Sequence, residues 1–356
     1  MNGKLVLANG QEFPGKLSGA CKPAMGEVVF TTGMTGYWET ITDPSYAGQM
    51  VTMTYPIQGN YGVNEISGES GQVWAKGLIV REFCQYPSHY LSQGSFEDFL
   101  RTHQVTAISE LDTRALVRVL RNHGVMNGII VDDTVSKEDA LYMLSHLEAK
   151  DYVPEVACKV AHEIAGNGTH VAVMDFGAKN NILRMLKGLG CRITVFPPHA
   201  TAEEILAIQP DGLLLSNGPG APEFRVEAIE TVRQLAGKLP IAGICLGHQI
   251  IALAMGAKTY KLSFGHRGGN HPVKELATNR VRMTSQNHGY AVDLRSMEDT
   301  ELEVTHVQIN DHTVEGLKHK RLPMKSLQYH PEGSPGPQDS AFYFEDFVRF
   351  FRESKV

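Results

Sequence analysis

From His170 onward the chain alternates short, almost wholly apolar runs with helix-like stretches, and this rhythm constrains its fold more than any other feature. Val171-Ala172-Val173-Met174, Ile193-Thr194-Val195-Phe196, Gly212-Leu213-Leu214-Leu215 and Pro240-Ile241-Ala242-Gly243-Ile244 have the length of strands rather than of buried helices. Strands this apolar belong to a parallel sheet buried on both faces. The segments between them supply the cover: 181–189, a helix opened by the capping box Thr201-Ala202-Glu203-Glu204, and 226–239. The expectation is an α/β domain over 170–356, with a mainly parallel sheet flanked by helices. Ligands of such sheets bind beyond the carboxyl ends of the strands. Ser216-Asn217-Gly218-Pro219-Gly220 and Cys245 both fall there.

The first 130 residues have a different texture, rich in Gly, Thr and Tyr. Lys4-Leu5-Val6-Leu7 and Glu12-Phe13 flank Asn9-Gly10, a hairpin signal. Further strands are expected at 26–30 and 49–54, and helices at 96–102, 113–122 and 136–149. This predicts a separate, smaller N-terminal domain over 1–152, with the weakly patterned 153–169 as a linker.

A length of 356 residues accommodates two such domains. The net charge of -6 and the lack of a basic block argue against nucleic-acid or anionic-membrane partners. The apolar stretch 239–257 approaches bilayer length, but its glycines, its proline and His248-Gln249 suit a buried strand and helix better. Five widely spaced cysteines without a CxxC suggest neither a disulfide framework nor a zinc site, which fits a reducing cytoplasm. No GxGxxG or HExxH occurs. Gly10 to Lys16 matches GxxxxGK, but Leu17 replaces the required hydroxyl residue and the match lies in the expected hairpin. No metal and no cofactor is expected in this chain.

Gly243-Ile244-Cys245-Leu246-Gly247 has the form of a nucleophile elbow, a strand-to-helix turn tight enough to require small flanking residues. The following helix aims its N-terminus at the sulfur and favours the thiolate. By itself the pattern serves equally for a buried packing cysteine. His330-Pro331-Glu332 offers a base and its orienting carboxylate, because residues i and i+2 of extended chain point the same way. Ser285-Gln286-Asn287-His288-Gly289-Tyr290 is a polar stretch between strand-like runs. His248, just behind the cysteine, is expected to support the elbow structurally.

Together, Gly243 to Gln249, Ser216 to Gly220 and His330 to Glu332 resemble the signature blocks of class I glutamine amidotransferases. Gly33-Met34-Thr35-Gly36, Thr42 to Tyr46, Gly59 to Gly62, Asp175-Phe176-Gly177-Ala178-Lys179 and Phe264 to Gly268 are similar to the small, glutamine-hydrolysing subunits of carbamoyl-phosphate synthases. The resemblance implies an N-terminal α/β domain and glutamine hydrolysis, with Cys245 as nucleophile, His330 as base and Glu332 as its orienting partner. It implies an oxyanion hole from the Gly218 and Leu246 amides. Ser45, Gly220, Gln249, Asn287, Gly289 and Tyr290 would hold the glutamine. It further implies a large synthetase subunit that carries ATP and magnesium and receives the ammonia, in a heterodimer or higher hetero-oligomer, for arginine and/or pyrimidine synthesis. A stand-alone γ-glutamyl cysteine hydrolase and a silent regulatory subunit are the alternatives. Ala221 and Gly333 depart from the family's usual Asp and Ala.

Overall fold

The computed structural model of the chain describes residues 1–354 and divides into two units after Lys150. In the first unit, strands β1 (Asn2–Leu7), β2 (Glu12–Gly19), β3 (Ala24–Thr31) and β4 (Gln49–Met53) lead into a two-residue strand β5 (Ile57–Gln58). β6 (Gly77–Ile79), β7 (Glu82–Phe83), β8 (Thr106–Ser109) and β9 (Met126–Asp132) follow. All but β5 and β7 close into a barrel in the order β1-β2-β8-β6-β4-β3-β9. The expected hairpin is β1–β2, turning at Gly10 with φ 80°. That places the GxxxxGK decoy in a hairpin without a following helix.

Four helices accompany the barrel: α1 (Tyr37–Thr42), α2 (Phe96–Thr102), α3 (Thr113–His123) and α4 (Lys137–Ser145). Ser95, Asp112 and Ser136 cap the last three by accepting the N–H three residues on. Ala140 and Leu144 of α4 bury against Val6, Ile129 and Val131 of β1 and β9.

The second unit begins with the one-turn helix α5 (Val153–Val156) and β10 (His162–Ile164), so the segment expected as linker carries an edge strand. It continues through β11 (His170–Met174), α6 (Asn180–Gly188), β12 (Arg192–Phe196), α7 (Ala202–Ala207), β13 (Gly212–Leu215) and α8 (Val226–Leu235). β14 (Ile241–Ile244), α9 (Leu246–Ala254), β15 (Thr259–Glu275), β16 (Val281–Val292) and β17 (Leu302–Gln308) come next. β18 (Val314–His319), β19 (Met324–Leu327) and α10 (Tyr343–Glu353) complete it. The capping box at Thr201–Glu204 is formed as expected.

One sheet runs β10-β12-β11-β13-β14-β19-β18-β17-β15-β16. Its five strands from β12 to β19 are mutually parallel, as the apolar runs predict, and antiparallel strands extend it on both sides. Alternate residues of the parallel strands enter two cores. Ala172, Met174, Leu213, Leu215 and Ile241 pack with α8 and α9. Val171, Val173, Leu214, Ala242 and Ile244 pack with α6 and α10. Each fully buried Leu or Ile contributes roughly 1.5–3 kcal/mol, so a strand exposed on either face would forfeit much of that. The former transmembrane candidate is β14 followed by α9, and among the described residues no helix is long and apolar enough to cross a membrane.

Candidate active site

Cys245 stands between β14 and α9 with φ 54° and ψ −104°, a strained left-handed conformation for a residue with a side chain. Its neighbours explain how the turn closes. A Cβ on Gly247 would lie 2.3 Å from the Leu215 carbonyl oxygen, and one on Gly243 would lie 2.6 Å from the Gly247 carbonyl carbon. The Gly247 N–H donates to the Ser216 carbonyl (3.0 Å) and the Cys245 N–H to that of Leu327 (2.9 Å). The elbow is therefore stitched to both flanking parallel strands. Gly247→Ala is expected to cost about 1–3 kcal/mol through overpacking against backbone and to displace the thiol. Denaturant midpoints and glutaminase rate should fall together, whereas Ala at the exposed Gly188 should change neither appreciably.

The second component follows β19. The His330 N–H donates to the Ser285 carbonyl (2.9 Å), which pins this segment to β16. His330 Nδ1 and Glu332 Oε1 are 2.6 Å apart. Nε2 keeps no aligned hydrogen-bond partner, yet Cys245 is close enough to act on the ring's charge. Cys245, His330 and Glu332 are all buried. Burial works against charging the imidazole, but Glu332 and Cys245 outweigh it and hold its pKa up at about 10. Burial likewise penalises the Glu332 carboxylate, yet Lys179 and His330 bring its pKa down to about 2.

Lys179 is the residue that sequence reasoning missed as part of the site, although its motif was singled out. Its ammonium is buried, 3.1 Å from Glu332 Oε1, and also donates to the Gly333 carbonyl. Asn181 Nδ2 donates to the Glu332 carbonyl at 2.6 Å. Asn217 holds the loop that delivers Lys179: its Oδ1 accepts the Lys179 N–H (3.1 Å) and its Nδ2 donates to the Gly177 carbonyl (3.0 Å). The available signal was positional, since Lys179 and Asn217 both follow carboxyl ends of parallel strands.

The residues expected around the substrate gather at the same place within this unit. A Cβ on Gly218 would meet the Phe176 carbonyl oxygen at 2.4 Å and Leu246 Cδ2 at 2.9 Å, so Gly218 lies against the start of α9. Leu246 opens α9, and its N–H belongs to the first turn, where intrahelical partners are lacking. Gly220 adopts φ 86°, a conformation that glycine takes without strain. Cys245 Sγ lies 3.6 Å from the Asn287 carbonyl oxygen. Gln249 Nε2 donates to the Tyr290 carbonyl (2.9 Å) and to Gln328 Oε1 (3.0 Å). Gly289 lies between Asn287 and Tyr290 on β16. Ser45 belongs to the other unit, where its N–H donates to Asp43 Oδ1 (2.9 Å) in a buried turn.

His248 is not part of the triad. It is fully buried, Nδ1 lies 2.9 Å from Ser326 Oγ on β19, and burial lowers its pKa to about 3. A neutral ring tying α9 to β19 is the structural support expected of it.

With this geometry in place, comparison with known proteins identifies its setting. Residues 172–350 match the family model of class I glutamine amidotransferases. Residues 5–130 match that of the carbamoyl-phosphate synthase small chain, CPSase domain. A carbamoyl phosphate synthase small chain of Clostridium perfringens is 51% identical over 98% of this chain and 99% of its own length. The chain belongs to the carbamoyl-phosphate synthase small-chain family. A Listeria monocytogenes small chain is 50% identical over 97% of this chain and 95% of its own length. The pyrimidine-specific small chain of Bacillus subtilis is 48% identical over 100% of this chain and 97% of its own. Both halves of this small-chain family member are thus accounted for, with the glutamine amidotransferase portion carrying the Cys245, His330 and Glu332 geometry.

Proposed function

We propose that this small chain hydrolyses glutamine to glutamate and ammonia through a cysteinyl thioester and supplies the ammonia to a large synthetase subunit. The observation that carries this reading is the buried line Lys179–Glu332–His330–Cys245, ending on a strained elbow. Cys245 Sγ, its proton already held by the His330 imidazolium, attacks the side-chain carboxamide carbon. The Gly218 and Leu246 amides stabilise the oxyanion. As the C–N bond breaks, the His330 imidazolium gives its proton to the leaving nitrogen, and ammonia departs. Water then adds to the thioester with His330 as base, releasing glutamate and restoring the thiolate. Glu332 fixes the ring and its charge, and Lys179 balances Glu332 in turn.

Gly220, Gln249, Asn287, Gly289 and Tyr290 hold the substrate. Ammonia is nucleophilic only when unprotonated, so it passes to the partner sheltered from bulk water. ATP and magnesium bind the large subunit, and this chain needs no cofactor of its own. The complex works in the cytoplasm, as a heterodimer or a higher hetero-oligomer, for pyrimidine and/or arginine synthesis.

The test is alkylation by a glutamine-like chloroketone or diazo ketone, read by peptide mass analysis and by assays of the complex with its large subunit. Stoichiometric labelling of Cys245, with loss of glutamine-dependent synthesis and retention of ammonia-dependent synthesis, is expected. Labelling elsewhere, or none at all, overturns the reading.

A further inference from the structure

Behind the strand that carries Asn287 and Tyr290 lies a buried polar cluster that the chemistry above leaves unused. Gln286, His288 and Tyr290 share one face of β16, because side chains alternate along a strand. Glu315 on β18 is wholly buried beside them, and His266 on β15 completes the group. The distances fix a chain of contacts. Glu315 Oε2 and Gln286 Nε2 are 2.9 Å apart, and the other end of the Gln286 carboxamide is 2.7 Å from His288 Nε2. His288 Nδ1 is 2.7 Å from the Tyr290 carbonyl oxygen. That same oxygen accepts the Gln249 N–H.

Proton counting decides the direction of this chain. If Gln286 donates to Glu315, its carbonyl faces His288, and the ring must donate from both nitrogens at once. Only an imidazolium can do that. Burial and the neighbouring His266 charge push the His288 pKa well below its usual value, so the ring is neutral and owns one N–H. The Tyr290 carbonyl can only accept, so that N–H is on Nδ1, and Nε2 must receive a donor. The two ends of a carboxamide are nearly isosteric, and the arrangement a neutral ring permits has the Gln286 N–H directed to His288 and its carbonyl to Glu315. That orientation also turns the carbonyl towards Thr284 Oγ1 (3.2 Å), whose hydroxyl must swing from the His271 carbonyl to donate to it. Towards Glu315 two oxygens face each other unless Glu315 supplies the proton.

The surroundings are compatible with a neutral Glu315. Burial raises its pKa and outweighs the opposing pull of His266 and Gln286. The positive His266 is already matched by Asp311 at 2.7 Å, while its Nδ1 lies 3.5 Å from Glu315 without an aligned hydrogen bond. Arg267 and His271 are the other charged or titratable groups acting on His288.

We propose that Glu315 is a positioning residue for glutamine binding: as a carboxylic acid it starts a one-way hydrogen-bond chain through Gln286 and His288 to the Tyr290 carbonyl, which in turn holds Gln249. The Glu315 O–H donates to the Gln286 carbonyl, the Gln286 N–H to His288 Nε2, and His288 Nδ1–H to Tyr290. Ionising Glu315 would reverse each bond and leave the His288 Nδ1 lone pair against the Tyr290 oxygen. The proposal rests on the reading that Gln249, Asn287 and Tyr290 hold glutamine.

Glu315→Gln and Glu315→Leu, each in the complex with the large subunit, test it. The glutamine side chain can donate where the acid did, so Glu315→Gln should leave the KM for glutamine within about twofold. Leucine cannot, and an unmet buried acceptor costs about 1–3 kcal/mol, so KM should rise about tenfold with a smaller change in kcat. Ammonia-dependent synthesis should be unaltered in both. A Glu315→Gln variant as impaired as Glu315→Leu, or a normal KM in Glu315→Leu, overturns the proposal. Should Glu315→Leu not fold, infrared spectroscopy decides. The unsubstituted chain at neutral pH should show the carbonyl band of a buried carboxylic acid that Glu315→Gln lacks, and absence of that band overturns the proposal. The band is read without turnover, so it is separable from the glutaminase reading, which fails instead if Cys245→Ser retains glutamine-dependent synthesis.

Discussion

Cys245→Ser should abolish glutamine-dependent carbamoyl phosphate synthesis by the complex, by a factor on the order of 10⁴ or more, while ammonia-dependent synthesis continues. The size of the loss follows from the chemistry. Serine keeps the elbow's shape, but its hydroxyl is a far poorer nucleophile than sulfur in a site built around an imidazolium partner. External ammonia bypasses the glutaminase altogether, so its use measures whether the complex remains assembled. Parallel rate measurements with each nitrogen donor check this. Residual glutamine-dependent synthesis near the unsubstituted level would remove Cys245 from the mechanism.

The second large effect is expected at Lys179. Lys179→Met keeps much of the side-chain volume but leaves Glu332 buried without its cation. Breaking one partner out of a buried pair costs about 3–5 kcal/mol, so the denaturant midpoint should fall accordingly. The pH dependence should change with a definite sign. The folded-state pKa of Glu332 is depressed from 4.5 to about 2, so its stabilising contribution is fully present above about pH 4.5 and is lost as pH falls through about 2. Removing the first-named attraction, that of Lys179, raises the folded value and moves acid unfolding to higher pH. Glutaminase kcat should drop as well, because a Glu332 no longer held as a carboxylate orients His330 less firmly. A variant with normal acid tolerance and normal kcat would show that the pair is dispensable. On the alkaline side, His330 is raised to about 10, so its ion-pair stabilisation is present below about pH 6.5 and is lost as pH rises through 10.

Much of the architecture could be read directly from local pattern. The runs at 171–174 and 212–215 are apolar at every position because each strand feeds two cores, and the capping box at Thr201 formed where its residues stood. The hairpin around Asn9-Gly10 and the helices from Phe96 and Thr113 are equally local. Strand β10 was not legible. Its three residues, His162, Glu163 and Ile164, acquire strand geometry only by pairing with β12 some thirty residues on. Closure of the N-terminal barrel was hidden for the same reason, since register between distant strands leaves no mark on any one of them.

For the site, sequence determined the elbow and the His330–Glu332 pair. A glycine–x–cysteine–x–glycine turn and two residues alternating on extended chain are constraints of neighbours on neighbours. Only the tertiary structure decided how those pieces are charged. Lys179 reaches Glu332 from 153 positions away in sequence, and its effect exists because folding removes both groups from water, where a Coulomb interaction that solvent would screen becomes decisive. Glu315 is the same case with the opposite outcome. By the proposal above it keeps its own proton, and the burial beside His288 on which that rests exists only in the fold.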